Sequence, residues 1–529
     1  MTLALFDAEC QTMIIFYTNF GKNQELFYKF TFYLQLCAAV VGEREEPPGF
    51  GAHFHMYIGL KRRNAVTIFS WWNQNILGVA VPLFLLVTGV FYLFRLRAFP
   101  FLHPIRLLRS VLDSRNRTDG ISPLRALSMA LAGTLGVGNL VGVSAAIAMG
   151  GAGAIFWMWV SATLAMLLKY AEVVLALGHR VMLSGGIRGG AMYYMRDTGK
   201  RNRTLGKIAA MVFTVLCLLD AFSMGCVVQV NAVAGALEAS FHLPVWAIGL
   251  GIALITLAVG ATGANGISAC TERLVPLMTV GFVVVSAVAI AGQHDRLPHV
   301  LGEIFRDALH PKSAAGGVLG FLFSRGMRYG TMRGLLSNEA GCGTSPMAHA
   351  SSQIKDAATQ GCMGIIEVFV DTHVLCTMTA LVILLAWDHV SSLGATPMLM
   401  TLRAYEALLG HGAGIFLSIA VLFFGLATVL CWSHYAVCCC DYMVGDSRER
   451  AIGQWTRRIC LWMYSLFCVI GAVVAPAGVW TLSDFSIGNM TLINVVFLCL
   501  HHREVENASA VMVGKVSHLL GKKEKSPRR

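Results

Sequence analysis

Long apolar segments separated by short polar ones fill most of the chain. Because a membrane-spanning helix needs about 20 mostly apolar residues, this pattern predicts eleven spanning helices. The predicted spans are 76–95, 124–149, 152–178, 208–238, 244–262, 274–292, 314–336, 359–386, 412–437, 459–477 and 480–500. The second, fourth and seventh are rich in glycine or polar residues, which indicates interrupted helices. The pattern therefore predicts an all-α polytopic membrane protein.

The composition excludes most other classes of protein. Hydrophobic residues make up 56% of the 529 residues and charged residues only 13%, against roughly 25% in soluble proteins. The net charge of +12 indicates basic cytoplasmic loops rather than a nucleic-acid partner. The fifteen cysteines form no CxxC pair, so we interpret them as packing residues. No P-loop, HExxH or catalytic-triad pattern occurs, so we expect neither an enzyme nor a bound cofactor.

Basic residues in the loops predict the orientation. They concentrate in 94–117, 180–207, 448–458 and the end of the chain. With eleven spans all these segments lie on one side, which the positive-inside rule makes cytoplasmic. The N-terminus is then predicted outside and the C-terminus inside.

Three regions are predicted from the same pattern. Residues 1–65 form an N-terminal extension to which the sequence assigns no role, residues 66–505 form the transporter domain, and residues 506–529 form a basic cytoplasmic tail. The apolar stretch 27–41 in the extension is too short for a span.

Three glycines interrupt the second predicted helix at Gly133, Gly136 and Gly138, next to Thr134 and Asn139. Glycine in a helix interior costs about 1 kcal/mol relative to alanine, and backbone freed in a membrane must find partners or line a cavity. We therefore predict that the backbone from Thr134 to Gly138 leaves the helix and binds a substrate carboxylate, with Asn139 beside it. The alternative is close helix packing through small residues.

Amide side chains in the fourth predicted helix form a second candidate group. Gln229 and Asn231 carry carbonyl oxygens that could accept hydrogen bonds from a substrate ammonium group. The alternative is hydrogen bonding between helices.

Hydroxyl groups in the ninth predicted helix indicate a cation site. Carbonyl oxygens near Thr134 and Leu135, with the hydroxyls of Thr428 and Ser433, are the hard oxygen ligands that Na⁺ prefers. Thr428 could instead bond back to its own helix. Trp432 is predicted to restrict a small substrate pocket, unless it only fills the core.

Acidic residues inside predicted spans are candidate functional groups by default. Glu367 and Asp371 share one helix face, and either could hold a cation or pair with Lys169. We interpret Lys169 and Glu172 as a structural pair, and Asp220 as a paired or cavity-facing acid.

A polar cluster follows the seventh predicted span. Asn338 and Glu339 are expected near the cytoplasm, either as a helix cap or as partners of basic residues at a gate. The basic candidates are Arg325, Arg328 and Arg333.

An ordered set of motifs resembles the alanine/glycine:cation symporter family across about residues 70–505. The matching segments are Gly133–Asn139, Phe156–Trp159, Lys169–Glu172, Gly189–Tyr194, Ser337–Gly343, Val368–Thr372, Trp432–Ser433 and Val479–Thr481. The chain differs from the family pattern at Val137, Cys226 and Ala427, where the family usually has Thr, Asn and Thr.

The resemblance implies a leucine-transporter-like core of two inverted five-helix repeats, 124–292 and 314–500, preceded by the extra helix 76–95. It implies uptake of alanine or glycine, coupled to Na⁺ or H⁺, in a prokaryotic plasma membrane. The substrate is then expected against the first and sixth core helices, and Na⁺ between the first and the eighth.

Other readings stay open at this point. A transporter or channel for another substrate could use the same scaffold, and the coupling ion could be H⁺ through Asp220 or Asp371. The expected partners are a small amino acid and the lipid bilayer, and the sequence indicates no oligomeric state.

The orientation gives a first testable prediction. Reporter fusions or cysteine-accessibility probes at residues 115 and 200 should report the cytoplasm, because both positions lie in basic loops. Detection of residue 200 on the outside would contradict the predicted topology.

Overall fold

Long apolar helices make up most of the part of the chain that the computed structural model describes. This part comprises residues 67–113, 121–183, 186–198, 203–309, 325–391, 396–445, 450–474 and 477–510. The predicted extension 1–65 and most of the predicted tail lie outside it. A short antiparallel hairpin joins Val181–Leu183 to Gly186–Arg188.

The helical segments follow in chain order, and several join end to end. They are Asn73–Leu77, Gly78–Arg95, Phe99–Leu102, Pro104–Asp113, Pro123–Thr134, Gly138–Gly142, Val143–Gly150, Gly153–Gly178, Ala191–Arg196, Arg203–Phe222, Ser223–Val228, Gln229–Phe241, Val245–Gly260, Gly263–Ala291, Leu297–Ala308, Arg325–Asn338, Pro346–Ala350, Ala357–Val368, Phe369–Cys376, Thr377–Leu385, Trp387–Val390, Pro397–Leu409, His411–Val444, Arg450–Val473, Ala477–Leu500 and His502–Ala508.

Eight helices in the described part are long and apolar enough to cross a membrane, and a bent pair can form a ninth. The eight are Thr67–Arg95, Gly153–Gly178, Arg203–Phe241, Gly263–Ala291, Ala357–Leu385, His411–Val444, Gly453–Val473 and Gly478–Leu500. The bent pair is Pro123–Thr134 with Gly138–Gly150, and Val245–Gly260 is apolar but shorter. These ten match ten of the predicted spans. Of the seventh, 314–336, only the part from Arg325 is described, so the count of eleven stays a prediction.

The order of the helices agrees with the predicted leucine-transporter-like repeats. After the extra helix Thr67–Arg95, five helices run from Pro123 to Ala291 and five more from Arg325 to Leu500. The first helix of each group of five is interrupted part-way along its length. The two interruptions place irregular backbone inside the bundle rather than at its ends.

Burial separates the helices into inner and outer ones. Within the most apolar 18 residues of helix Gly153–Gly178, 83% are buried inside the protein. The corresponding share for helix Gly263–Ala291 is only 28%. The exposed Leu277, Val280 and Val284 follow helical spacing along one side of this outer helix. In a spanning protein such an apolar stripe contacts lipid.

The fourth predicted span is not broken, contrary to the expectation from its composition. Helix Arg203–Phe241 passes through a π-helical segment, Ser223–Val228, without losing its continuity. Gly225 serves packing here, because a Cβ at this position would lie 2.4 Å from Trp432 Cγ. A glycine in a spanning helix can therefore either mark a break or allow close packing, and composition alone does not distinguish the two.

A fully buried ion pair ties the inner helices together. Lys169 Nζ lies 3.3 Å from Glu367 Oε1 and donates to Ser345 Oγ at 2.6 Å. His349 Nε2 lies 2.8 Å from the second oxygen of Glu367. The predicted alternative, a link between Glu367 and Lys169, is therefore confirmed.

The expected pair of Lys169 with Glu172 is wrong. Glu172 Oε1 instead accepts hydrogen bonds from the Gly343 amide at 2.8 Å and from Asn494 Nδ2 at 2.6 Å. Spacing along one helix does not reveal that Lys169 pairs with Glu367 while Glu172 bonds to the Gly343 amide and Asn494.

The ion pair gives a stability prediction. Lys169→Met should lower the Tm by several degrees, since removal of one partner of a buried pair leaves an uncompensated charge and costs roughly 3–5 kcal/mol. Adding Glu367→Gln should recover part of the loss. The measurement is thermal unfolding of the purified protein in detergent, with the exposed Lys207→Met as the matched control. Equal melting of Lys169→Met and wild type would contradict the assignment.

Candidate substrate and ion site

The first break separates helix Pro123–Thr134 from the helix that resumes at Gly138, with a bend of 50°. The Gly136 amide donates to Thr134 O at 2.8 Å, and the Val137 amide donates to Gln229 Oε1 at 3.0 Å. A side chain of another helix thus replaces a helical hydrogen bond. The predicted interruption of this helix is confirmed.

Side chains from helix His411–Val444 cover the carbonyl groups at the end of the first half-helix. Thr428 Oγ1 lies 3.0 Å from Ala132 O and also 3.0 Å from Phe424 O of its own helix, so its one proton is shared between the two carbonyls and the predicted bond within its own helix is present as well. Trp432 Nε1 donates to Gly133 O at 3.3 Å. The last carbonyls of a helix have no helical partner and carry a partial negative charge. This end of the half-helix therefore favours a cation.

Gly136 lies at the centre of this arrangement. A Cβ at this position would lie 2.7 Å from Thr428 Oγ1 and 2.8 Å from Gln229 Oε1. No other residue fits without displacing one of these groups. The predicted residues Gly136, Gln229 and Thr428 are thus brought together from three different helices.

The second break follows helix Arg325–Asn338. Glu339, Gly341 and Gly343 all have positive φ, at 51°, 90° and 82°, and a short helix resumes at Pro346. Glycine adopts this left-handed conformation at little cost, so the two glycines suit the turn.

One carboxylate joins the two breaks. Asp371 Oδ1 accepts from Asn139 Nδ2 at 2.7 Å, and Asp371 Oδ2 accepts from Ser337 Oγ at 2.7 Å. Asn139 Nδ2 also donates to Ser337 Oγ at 3.0 Å. All three side chains are buried, and Asn139 Oδ1 has no partner within the described part of the chain. A buried acceptor is therefore free beside the first break.

The polar cluster after the seventh predicted span does not pair with the basic residues that were expected. Asn338 Nδ2 donates to Thr372 Oγ1 at 3.0 Å, and Glu339 Oε2 accepts from Thr344 Oγ1 at 2.6 Å. Arg333 instead lies 3.6 Å from Asp484. The cluster forms the interior second break rather than a latch of ion pairs.

The side chains of three predicted site residues form hydrogen bonds away from the first break. Asn231 Nδ2 donates to Gly471 O and Val474 O, at 3.2 and 2.8 Å, on a neighbouring helix. Ser433 Oγ donates to Leu430 O at 2.7 Å in its own helix. The Thr134 hydroxyl lies 3.4 Å from Ala130 O and from Leu131 O, also in its own helix.

Other predicted residues lie directly at the break. Leu135 connects the end of the first half-helix to Gly136, and its amide donates to Leu131 O at 2.7 Å. Gly138 opens the second half-helix, and a Cβ there would lie 3.6 Å from Leu336 O. Trp432 is fully buried against Gly225.

Ser337 and Asp371 were not among the residues predicted to bind substrate or cation, although Asp371 was weighed as a candidate. The available signal was an acid within an apolar span, which is a functional candidate by default. Their meeting with Asn139 depends on tertiary contacts that helical spacing does not reveal.

Two interrupted helices whose ends meet inside the protein, beside hydroxyl, amide and carboxylate groups, are the architecture of secondary transporters with discontinuous helices. Residues 62–515 match the model of the sodium:alanine symporter family. The chain belongs to this family, whose members are transporters and not enzymes.

Two relatives that are named as sodium symporters are similar to this chain over most of its length. The chain is 33% identical over 449 residues to the sodium/alanine symporter AgcS of Methanococcus maripaludis, covering 83% of this chain and 93% of the relative. It is 30% identical over 451 residues to the probable sodium/glutamine symporter GlnT of Bacillus subtilis, covering 82% and 90%. A solved structure, MhsT in complex with L-phenylalanine, aligns with a TM-score of 0.49 at 15% identity over 74% of this chain and 89% of that one.

The position of Gly136 gives a prediction for transport. Gly136→Ala should lower the initial rate of uptake by about tenfold, equivalent to about 1.4 kcal/mol, because its Cβ displaces Thr428 or Gln229. Gly142→Ala is the matched control, since a Cβ there meets nothing within 4 Å in the same broken helix. Uptake should be measured in proteoliposomes with equal amounts of inserted protein. Equal rates for the two variants would show that the close approach at Gly136 has no role in transport.

Proposed function

We propose that the protein couples the Na⁺ gradient to the uptake of a small neutral amino acid, such as alanine or glycine, across a prokaryotic plasma membrane. The observation that carries the proposal is the meeting of Gly136, Thr428 and Gln229 at the first break. The similarity to a sodium/alanine symporter and to a probable sodium/glutamine symporter supports this substrate class and ion.

The amino acid binds between the two half-helices in this proposal. Its carboxylate lies at the backbone from Thr134 to Gly138, where the second half-helix begins and its N-terminal end favours an anion. Its ammonium group donates to Asn139 Oδ1, the buried acceptor without a partner. Gln229 contributes its amide beside the same backbone.

Trp432 limits the size of the substrate. Its indole packs on Gly225 and donates to the Gly133 carbonyl, so the ring is fixed from two sides. A fixed ring next to the break leaves room for small side chains only, which supports the choice of alanine or glycine.

Na⁺ binds at the C-terminal end of the first half-helix in this proposal. The ligands are backbone carbonyls of the segment that includes Thr134 and Leu135, together with the Thr428 hydroxyl, which already contacts Ala132 O. Ser433 is the least supported member of the predicted set, because its hydroxyl bonds to Leu430 O in its own helix, whereas the Thr428 hydroxyl also contacts the first half-helix.

A proton is the less favoured coupling ion. Asp371 accepts hydrogen bonds from Asn139, Ser337 and Thr372. Both oxygens of this carboxylate are thus engaged in hydrogen bonds that join the two breaks. The acid therefore acts as a structural anchor, while neutral oxygens hold the Na⁺.

The orientation follows the positive-inside rule in this proposal. The N-terminus lies outside and the C-terminus in the cytoplasm. The basic segments around residues 94–117 and 180–207 then face the cytoplasm.

Uptake of labelled alanine into proteoliposomes tests the function. An inward Na⁺ gradient should drive accumulation, and replacement of Na⁺ by K⁺ should abolish it. Accumulation that persists without Na⁺ and collapses with the pH gradient would overturn Na⁺ coupling. If the protein transported another solute but neither alanine nor glycine, the proposed substrate would be wrong and the alternative, a transporter for a different substrate on the same scaffold, would hold.

The Thr428 hydroxyl gives a sharper prediction for the ion. Thr428→Val keeps the shape of the side chain but removes an oxygen ligand, so half-maximal uptake should require about tenfold more Na⁺, which corresponds to about 1.4 kcal/mol. Thr428→Ser keeps the oxygen and should stay within a few-fold of wild type. The measurement is the Na⁺ dependence of the initial rate. An unchanged Na⁺ requirement in a well-inserted Thr428→Val variant would remove Thr428 from the ion site.

A further inference from the structure

Two histidines and a glutamate meet at the ends of helices, away from the substrate site. His179 follows helix Gly153–Gly178, and His501 and Glu504 follow helix Ala477–Leu500. His179 Nε2 lies 2.9 Å from Glu504 Oε2, and His501 Nδ1 lies 3.0 Å from Glu504 Oε1. One ligand atom from each side chain lies within 4.8 Å of the others. Across the described ranges this is the one group of three or more His, Cys, Asp or Glu side chains with such geometry.

Each histidine ring is also held from its other side. His179 Nδ1 lies 3.2 Å from Asp197 Oδ2, and His501 Nε2 lies 3.1 Å from Thr198 Oγ1. Metal-binding histidines characteristically donate their second ring N–H to a carboxylate or another oxygen, which fixes the tautomer and the ring orientation. Both rings have this support, and both direct their remaining nitrogen towards the same carboxylate.

Each ring nitrogen of the two histidines has an oxygen partner. His179 lies between the carboxylates of Asp197 and Glu504, and His501 lies between Glu504 and the Thr198 hydroxyl. In both rings the nitrogen that faces Glu504 is the one that a metal ion would take, since the other nitrogen is held by Asp197 or Thr198.

We propose that His179, His501 and Glu504 bind a divalent transition-metal ion of the Zn²⁺ type. The ion lies where the two ring nitrogens and the carboxylate meet. Two imidazole nitrogens and a carboxylate oxygen are an established Zn²⁺ ligand set, with water as the fourth ligand.

The distances suit this metal. Ligand atoms at about 2.0–2.1 Å from a tetrahedral Zn²⁺ lie about 3.3 Å apart. The two ring nitrogens lie 2.9 and 3.0 Å from different oxygens of Glu504, and one atom from each side chain lies within 4.8 Å of the others, so the three side chains are close enough to hold such an ion. The Glu504 side chain is 54% exposed and that of His501 only 5%. The site is thus anchored on its inner side and open to solvent on its outer side, so an ion can enter.

The metal would join two parts of the bundle that are distant in sequence. His179 ends a helix of the first repeat, whereas His501 ends the last helix of the second repeat. Asp197, which supports His179, also pairs with Arg196 at 2.8 Å. A bound ion therefore fixes these two helix ends relative to each other and to the segment after Ala191–Arg196.

Zn²⁺ binding to the full-length protein in detergent tests the proposal independently of transport. After treatment with a chelator, the protein is titrated with Zn²⁺ by calorimetry at a pH above about 6.5, the ordinary pKa of histidine. Wild type should bind one equivalent, and H179Q/H501Q should bind at least about a hundredfold more weakly. The variant His502→Gln is the matched control, because His502 contacts the Cys499 carbonyl and does not belong to the group. It should bind as wild type.

Two further readouts separate the site from other metal contacts. Co²⁺ in place of Zn²⁺ should give the visible absorption of a tetrahedral N,O site in wild type and in His502→Gln but not in H179Q/H501Q. Both variants should keep uptake in the presence of chelator, which shows that they are folded. Equal Zn²⁺ affinity of wild type and H179Q/H501Q would overturn the proposal and assign the ion to exposed pairs such as His299 with Glu303. Absence of Zn²⁺ binding to wild type would equally overturn it and leave direct contacts between the two histidines and Glu504.

Discussion

The need to satisfy backbone hydrogen bonds inside an apolar bundle governs this structure. Water does not reach the middle of a spanning helix, so a break there is stable only if other groups replace the lost bonds. The Gln229 side chain accepts from the Val137 amide, and Thr428 and Trp432 donate to the Ala132 and Gly133 carbonyls. These contacts fix which helices must lie beside the first break, and the proposed substrate and ion positions follow from them.

The pattern of apolar segments predicts much of this architecture from the sequence. Ten of the predicted spans coincide with described helices because a long apolar segment has few alternatives in a membrane. The break at 135–137 was predicted because glycines there occur beside Thr134 and Asn139, whereas packing alone does not require polar neighbours. Gly225 shows the limit of this reasoning, since the contact that requires it comes from Trp432 in a distant part of the chain.

The candidate site was predicted less completely, for geometrical reasons. Gln229 and Asn231 are two positions apart, and residues with this separation lie on different sides of a helix. Only Gln229 contacts the first break. The partners of Lys169 and Asp371 lie on other helices, and no pattern within one helix reveals which neighbour it faces. Sequence thus identified polar residues at membrane depth, while tertiary packing determined which of them meet.

Asp371 also bears on how the bundle can move. One of its oxygens is bound to the first broken helix through Asn139, and the other is bound to the second through Ser337. Rotation of either broken helix alone would remove one hydrogen-bond donor from this buried carboxylate, which is costly. The two broken helices are therefore expected to move as one body. The sliding surface then lies along helix His411–Val444, where the uncharged contacts of Thr428 and Trp432 can be exchanged at lower cost.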